Sequence, residues 1–146
     1  MMNKQKTSRT LLWKALAFFP IIAILLLNSC NPGHKILGTW KMVSYKYGEG
    51  KETNWPDDTK ALKLITPTHF TWIHYQTKDN VVYDSAGGTY KFDGVNYTEN
   101  VDYGGKGMVP YFGKSKFKLK FKGDQMFLSG TLADGYKIEE VWKKLQ

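Results

Sequence analysis

The chain has 146 residues, with 21 Lys and Arg against 13 Asp and Glu and a formal net charge of +8. Its length suits one domain, and its single cysteine, Cys30, excludes an internal disulfide. Lys4, Lys6, Arg9 and Lys14 all precede that cysteine; without them 17 basic residues face the same 13 acids, a net charge of +4. That balance, with no RNA-binding signature, argues against a nucleic-acid partner.

Residues 1–29 read as an export signal. A basic front end is followed by an apolar run from Ala15 to Leu27 with Pro20 in its middle. The run is too short to span a bilayer, which takes roughly 20 apolar residues. Leu27-Asn28-Ser29-Cys30 resembles a bacterial lipobox. The resemblance implies cleavage before Cys30, diacylglycerol on its sulfur and an acyl chain such as palmitate on the new amino terminus. The lone thiol is then a lipidation site. The protein is expected to be exported and lipid-anchored to a bacterial membrane, facing the periplasm or cell surface. Several acyl chains, at about 0.8 kcal/mol per buried methylene, make a stable anchor. Residues 30–36 read as a lipidated tether and residues 37–146 as the folded domain.

Beyond Cys30 the apolar residues alternate with polar ones and show no helical period. Eight strands are expected, over 38–47, 60–65, 69–76, 81–92, 95–103, 114–122, 125–132 and 136–144. Thr66-Pro67-Thr68 joins the second to the third, setting Leu62 and Leu64 beside Phe70, Trp72 and His74. Asp93-Gly94 reads as a two-residue turn with Phe92 opposite Val95 and Tyr90 opposite Tyr97. The inward face then runs Tyr90, Phe92, Val95, Tyr97, Glu99, Val101 and Tyr103. In Lys116–Lys122, Phe117, Leu119 and Phe121 share one face and the lysines share the other. Gly123-Asp124 sets Phe121 opposite Met126 and Leu119 opposite Leu128. A three-residue Ala133-Asp134-Gly135 loop sets Leu128 opposite Glu140 and turns Ile138, Glu140, Trp142 and Lys144 inward, whereas a two-residue Asp134-Gly135 turn would set them outward. Short connections throughout imply an antiparallel meander. With one wet face it closes as an up-and-down barrel, an all-β fold, or packs as a two-sheet sandwich.

Gly38-Thr39-Trp40 opens the first strand and resembles the G-x-W motif of lipocalins. The ordered set "LGTWKMVSY", "THFTWIHY", "GGTYKFDGVNYTENVDYG" and "GYKIEEVWKK" is similar to the lipocalin-like domain of small bacterial exported lipoproteins. The resemblance covers about residues 36–144 and implies an eight-stranded antiparallel barrel. It further implies that Trp40 plugs the closed end and that Lys144 packs over its ring as the barrel's closure.

Chemical motifs are sparse. Gly113-Lys114-Ser115 imitates the end of a phosphate loop, but Met108 stands where the first glycine belongs and a lysine-rich strand follows in place of a helix. His34 lies in the tether, and His69 and His74, five apart on one strand, face opposite ways, so no metal site or other cofactor is expected. The inward polar residues are Glu99, Glu140, His74, Tyr90, Tyr97 and Ser44. A carboxylate inside an aromatic cup needs hydrogen bonds, and its pKa should rise. The leading expectation is a small, largely apolar or amphipathic ligand held in the calyx. Phe70, Trp72, Tyr97, Tyr103, Phe117, Met126 and Leu128 would line it, and Glu99 and Glu140 would orient its polar group. Trp55 sits in the long loop where lipocalins carry a lid. Two alternatives stay open: a solid barrel that docks a protein partner of the envelope, and a barrel enzyme using Glu99 and Glu140 as acid and base.

Overall fold

The computed structural model describes residues 33–145. The signal segment, the lipobox and Cys30 lie outside the described residues. A single helical turn, α1 (Gly33–Ile36), leads into β1 (Gly38–Tyr47), β2 (Thr53–Asn54), β3 (Thr59–Ile65), β4 (His69–Gln76), β5 (Val82–Phe92) and β6 (Asn96–Gly104). A 3-10 turn over Lys106–Tyr111 precedes β7 (Gly113–Lys122), β8 (Gln125–Thr131) and β9 (Lys137–Leu145). Strands β3 to β9 pair antiparallel in sequence order, β1 pairs β3, and β1 also pairs β9 from Thr39↔Leu145 to Tyr47↔Ile138. The sheet is therefore a closed barrel of eight long strands, with the two-residue β2 added beside Ser44 and Tyr45. Closure satisfies the edge groups that an open sheet would leave unpaired.

Alternation and turn chemistry account for most of the register. In β7, Phe117 and Leu119 are buried while the lysines at 116, 118, 120 and 122 are exposed. Each such apolar side chain taken from water contributes about 1.5–3 kcal/mol. Gly123, at φ 59°, makes the tight turn that pairs Phe121 with Met126. Gly135, at φ 88°, closes the three-residue loop that pairs Leu128 with Glu140.

Three registers differ from the sequence expectation. Asp93-Gly94 is not a two-residue turn: Phe92 pairs with Tyr97, and the Asp93 carboxylate accepts hydrogen bonds from the Val95 and Asn96 amides at 3.0 and 2.7 Å. The slide is two residues, so Tyr97 and Glu99 stay inside. Val95 falls in the turn and is 53% exposed. At the other end of this pair, β5 and β6 shift register between Gly87 and Gly88, and Asp102 is the extra residue. The bulge reverses the parity beyond it, and Tyr103 emerges on the outer surface, 51% exposed.

Strand β3 has the opposite parity from the one expected. The connection after it pairs Ile65 with Phe70, so Ala61, Lys63 and Ile65 face inward and Leu64 faces water. A lysine thereby enters the barrel.

Strand β1 carries a bulge at Val43, between Met42↔Trp142 and Ser44↔Val141. Trp40 and Met42 point inward before it, and Tyr45 and Tyr47 after it. Ser44 turns outward, where its hydroxyl donates to Glu52 at 2.7 Å.

The end nearest α1 is solid. Ile36, placed in the tether by the sequence reading, is fully buried beside Trp40, whose indole N–H donates to the Ile36 carbonyl at 2.8 Å. Ring contacts run upward from Trp40 to Phe121 (6.0 Å), Phe92 (6.2 Å), Tyr97 (6.3 Å) and Phe117 (6.2 Å). Lys144 Nζ stands 5.3 Å from the Trp40 ring centroid. Gly38, at φ 117°, passes beneath this lysine; a Cβ there would meet Lys144 Cε at 3.3 Å.

Candidate ligand-binding cavity

Eight strands enclose an interior that side chains either fill or leave open for one small molecule. Here the two outcomes share one barrel. Above the aromatic plug lies a cavity of about 250 Å³, at the end where the 105–112 and 132–136 connections cross. Its wall is largely apolar: Met42, Trp72, Val101, Phe117, Ile138 and Trp142 come from five different strands. Met108 and Tyr111 of the 3-10 turn, with Leu132 and Tyr136, form the mouth.

The floor is polar. Lys63 Nζ reaches Glu99 Oε1 at 2.9 Å, and the two side chains are only 4% and 5% exposed. The ammonium also lies 5.1 Å from the Trp142 ring centroid, 5.9 Å from Phe70 and 6.0 Å from Tyr97. A cation buried in this way needs both its counter-ion and its aromatic neighbours. Glu140 is held separately. Its carboxylate accepts from the Tyr47 hydroxyl at 3.0 Å and the Trp142 indole N–H at 2.9 Å.

Electrostatics follow from these contacts. Burial pushes the Glu140 carboxyl above the usual range; Lys63 and the Trp142 and Tyr47 hydrogen bonds oppose the rise, and Glu99 adds to it. Burial, then the neighbouring Glu140, pushes the Tyr47 phenol up. Burial, then Glu99, does the same for Tyr97. His74 is pushed toward its neutral form by burial, with Asp84 opposing and Lys63 assisting.

One wall residue stands apart. Ser115 lies directly opposite Glu99 across the β6–β7 pair, lines the cavity and is 1% exposed. Among the described residues its Oγ has no hydrogen-bond partner.

The β1–β3 connection packs against the cavity wall at His74. The Trp55 amide donates to the Val43 carbonyl at 2.8 Å, using an acceptor near the bulge. The Trp55 ring packs 5.6 Å from Tyr45 and 4.9 Å from His74, and Tyr45 packs 4.7 Å from Tyr47.

Of the residues expected to line the calyx, Trp72, Phe117, Glu99 and Glu140 border the cavity. Phe70, Tyr97, Met126 and Leu128 are buried but outside its border, because the solid lower half of the barrel absorbs them. Tyr103 is outside the barrel altogether, beyond the Asp102 bulge. Sequence reasoning passed over Lys63, Ser115 and the inward turn of Tyr47. The Ser115 signal was present: a small residue at an inward position of β7, directly after Lys114 and two before Phe117. No group of three or more metal-ligating side chains occurs among the described residues.

At the level of sequence, no family model and no curated protein matches the chain. Solved structures do. A lipocalin-like protein from Bacteroides uniformis ATCC 8492 superposes with a TM-score of 0.55 at 18% identity, over 76% of this chain and 99% of its own. The fold is lipocalin-like. An uncharacterized protein from Bacteroides eggerthii DSM 20697 matches with a TM-score of 0.53 at 16% identity, over 75% of this chain and 98% of its own. A redesigned β-barrel matches with a TM-score of 0.52 at 15% identity, over 81% and 98%. At such identities the likeness concerns the path of the backbone, and function has to be argued from this chain's own cavity.

Proposed function

We propose that the mature chain is a lipid-anchored, cell-envelope lipocalin-like protein that binds a small, largely apolar ligand in the open half of its barrel. The observation that carries the binding reading is the cavity: about 250 Å³, apolar walls and a few convergent polar groups at one end. That is the composition of a small-molecule site, near the lower end of the usual size range. A purely structural core would pack this space, since unfilled volume costs stability. The anchor reading rests on the Leu27–Cys30 motif after the apolar run.

Two measurements test the two halves separately. Native mass spectrometry of the purified protein should retain a small molecule, and mass lost on denaturation should match it; a protein that always flies bare, and whose tryptophan fluorescence no small amphiphile alters, would end the binding reading. Labelled palmitate should enter the wild-type chain and not Cys30→Ala; equal labelling of both would end the anchor reading.

A further inference from the structure

The cavity floor restricts the chemistry of the ligand's polar group. This step rests on the binding reading above and narrows it. Four strands supply the floor: Lys63 from β3, Glu99 from β6, Ser115 from β7 and Glu140 from β9. Each charged member is already engaged. Lys63 and Glu99 form a closed pair at 2.9 Å. Both Glu140 oxygens accept hydrogen bonds, one from Tyr47 and one from Trp142.

A carboxylate ligand would have to compete with Glu99 for Lys63, the sole cation of the cavity wall among the described residues, while lying near a second carboxyl group. An ammonium ligand would have to draw Glu99 from Lys63 or strip Glu140 of two donors. Either exchange leaves a buried ionic or polar group unpaired, which is the costly outcome. His74, the remaining ionisable ring on the wall, is held toward its neutral form by burial and offers no second cation.

Ser115 is different. Its hydroxyl is buried, faces the cavity and lacks a protein partner among the described residues. A hydroxyl both donates and accepts, so it can serve an alcohol or a carbonyl. We infer that the ligand carries one uncharged oxygen, a hydroxyl or carbonyl on a body of about one ring, and that Ser115 Oγ is its hydrogen-bond partner. The size follows from the space: an apolar cavity of roughly 150 Å³ accepts benzene, so 250 Å³ holds a ring with a short substituent. The aromatic wall of Trp72, Phe117 and Trp142 suits the flat body.

The test is a head-group series on one scaffold. Benzyl alcohol, benzoate, benzylamine and toluene are titrated calorimetrically at neutral pH into the purified full chain and into Ser115→Ala. The expected result is that benzyl alcohol binds at least tenfold tighter than benzoate or benzylamine. Ser115→Ala should weaken benzyl alcohol by about threefold to tenfold. It should leave toluene unchanged, which also shows that the variant cavity is intact. Preference for benzoate or benzylamine overturns the inference and leaves the binding reading standing. So does an alcohol affinity indifferent to Ser115→Ala. If none of the four binds, the inference fails; the binding reading fails with it only if the native protein also flies bare and no small amphiphile alters its tryptophan fluorescence.

Discussion

Replacing Lys63 by methionine tests the central feature of the site. Methionine keeps the length of the stem and removes the ammonium. Glu99 would then be a carboxylate 5% exposed whose ion-pair partner Lys63 is gone. Removing one partner of a buried pair costs about 3–5 kcal/mol, out of a total that is about 5–15 kcal/mol for a domain. At about 4 °C per kcal/mol for a domain of this size, the midpoint of thermal unfolding should fall by about 12–20 °C. Urea titration followed by tryptophan fluorescence measures the same loss at constant temperature. One further observation separates this cause from lost packing. Adding Glu99→Gln to Lys63→Met should recover most of the loss, because neutral groups in place of both ions leave no stranded charge. A loss under about 1 kcal/mol that is unaffected by Glu99→Gln would refute the inward parity of β3. Lys63 would then be one more outward lysine.

Other residues give sharper or smaller signals. The raised Glu140 carboxyl means that the folded protein binds its proton more tightly than the unfolded chain does. Its contribution to stability is therefore complete below the unfolded value of 4.5 and is lost as pH rises through the higher folded value; Glu140→Gln should flatten that decline in urea titrations across acidic pH. Burial lowers His74 from 6.5, so its contribution is present above that value and lost as pH falls through the lower folded one, and His74→Phe should remove that acid-side loss. Trp55→Ala removes the ring packed on Tyr45 and His74; the dissociation rate of a bound aromatic probe, followed by stopped-flow fluorescence, should rise about tenfold with a smaller change in association. Lys144→Ala removes the cation 5.3 Å from Trp40 and should cost about 0.5–2 kcal/mol, whereas Trp40→Ala opens the plug and should cost about 3–5 kcal/mol, both read by urea titration.

Strand positions were legible because turn residues and alternation agree at most points of the chain. Gly123 and the lysine-striped β7 each permit one local solution, and that solution is the one observed; Gly135 permits two turns, and the three-residue loop is the one observed. The departures share one physical origin: parity is global along a strand, while the signals that break it are local. The Val43 bulge is invisible in "TWKMVSYKY", since Tyr45 or Ser44 could equally face inward there. It decides whether Tyr47 reaches Glu140. In "TKALKLI" the apolar count favours Leu62 and Leu64 as the inner pair. The tertiary answer is Ala61, Lys63 and Ile65, because Glu99 waits on the opposite wall and the connection to β4 sets Ile65 against Phe70. Glu99 and Glu140 were recognisable as inward acids. Lys63 and Tyr47, their partners from other strands, were not, because β3 has a parity that the sequence misstates and β1 one that it leaves ambiguous.

The division of the barrel into a solid and a hollow half follows from where bulk and charge fall along the strands. Below the level of Phe117, inward positions carry Trp40, Phe70, Phe92, Tyr97, Phe121 and Met126, and rings meet at 6.0–6.3 Å. Above it, inward positions carry Lys63, Glu99, Ser115 and Glu140; the Lys63–Glu99 pair and the hydrogen bonds from Tyr47 and Trp142 to Glu140 hold the charged groups at the wall and keep the axis open. A buried ion pair is poor stabilisation compared with apolar packing of equal volume. Its position at the boundary is better explained by shape: charges fixed to opposite walls cannot collapse onto the axis as a leucine would. The plug then acts as rigid foundation and the polar ring as spacer, with ligand discrimination resting on a floor whose charges are already satisfied.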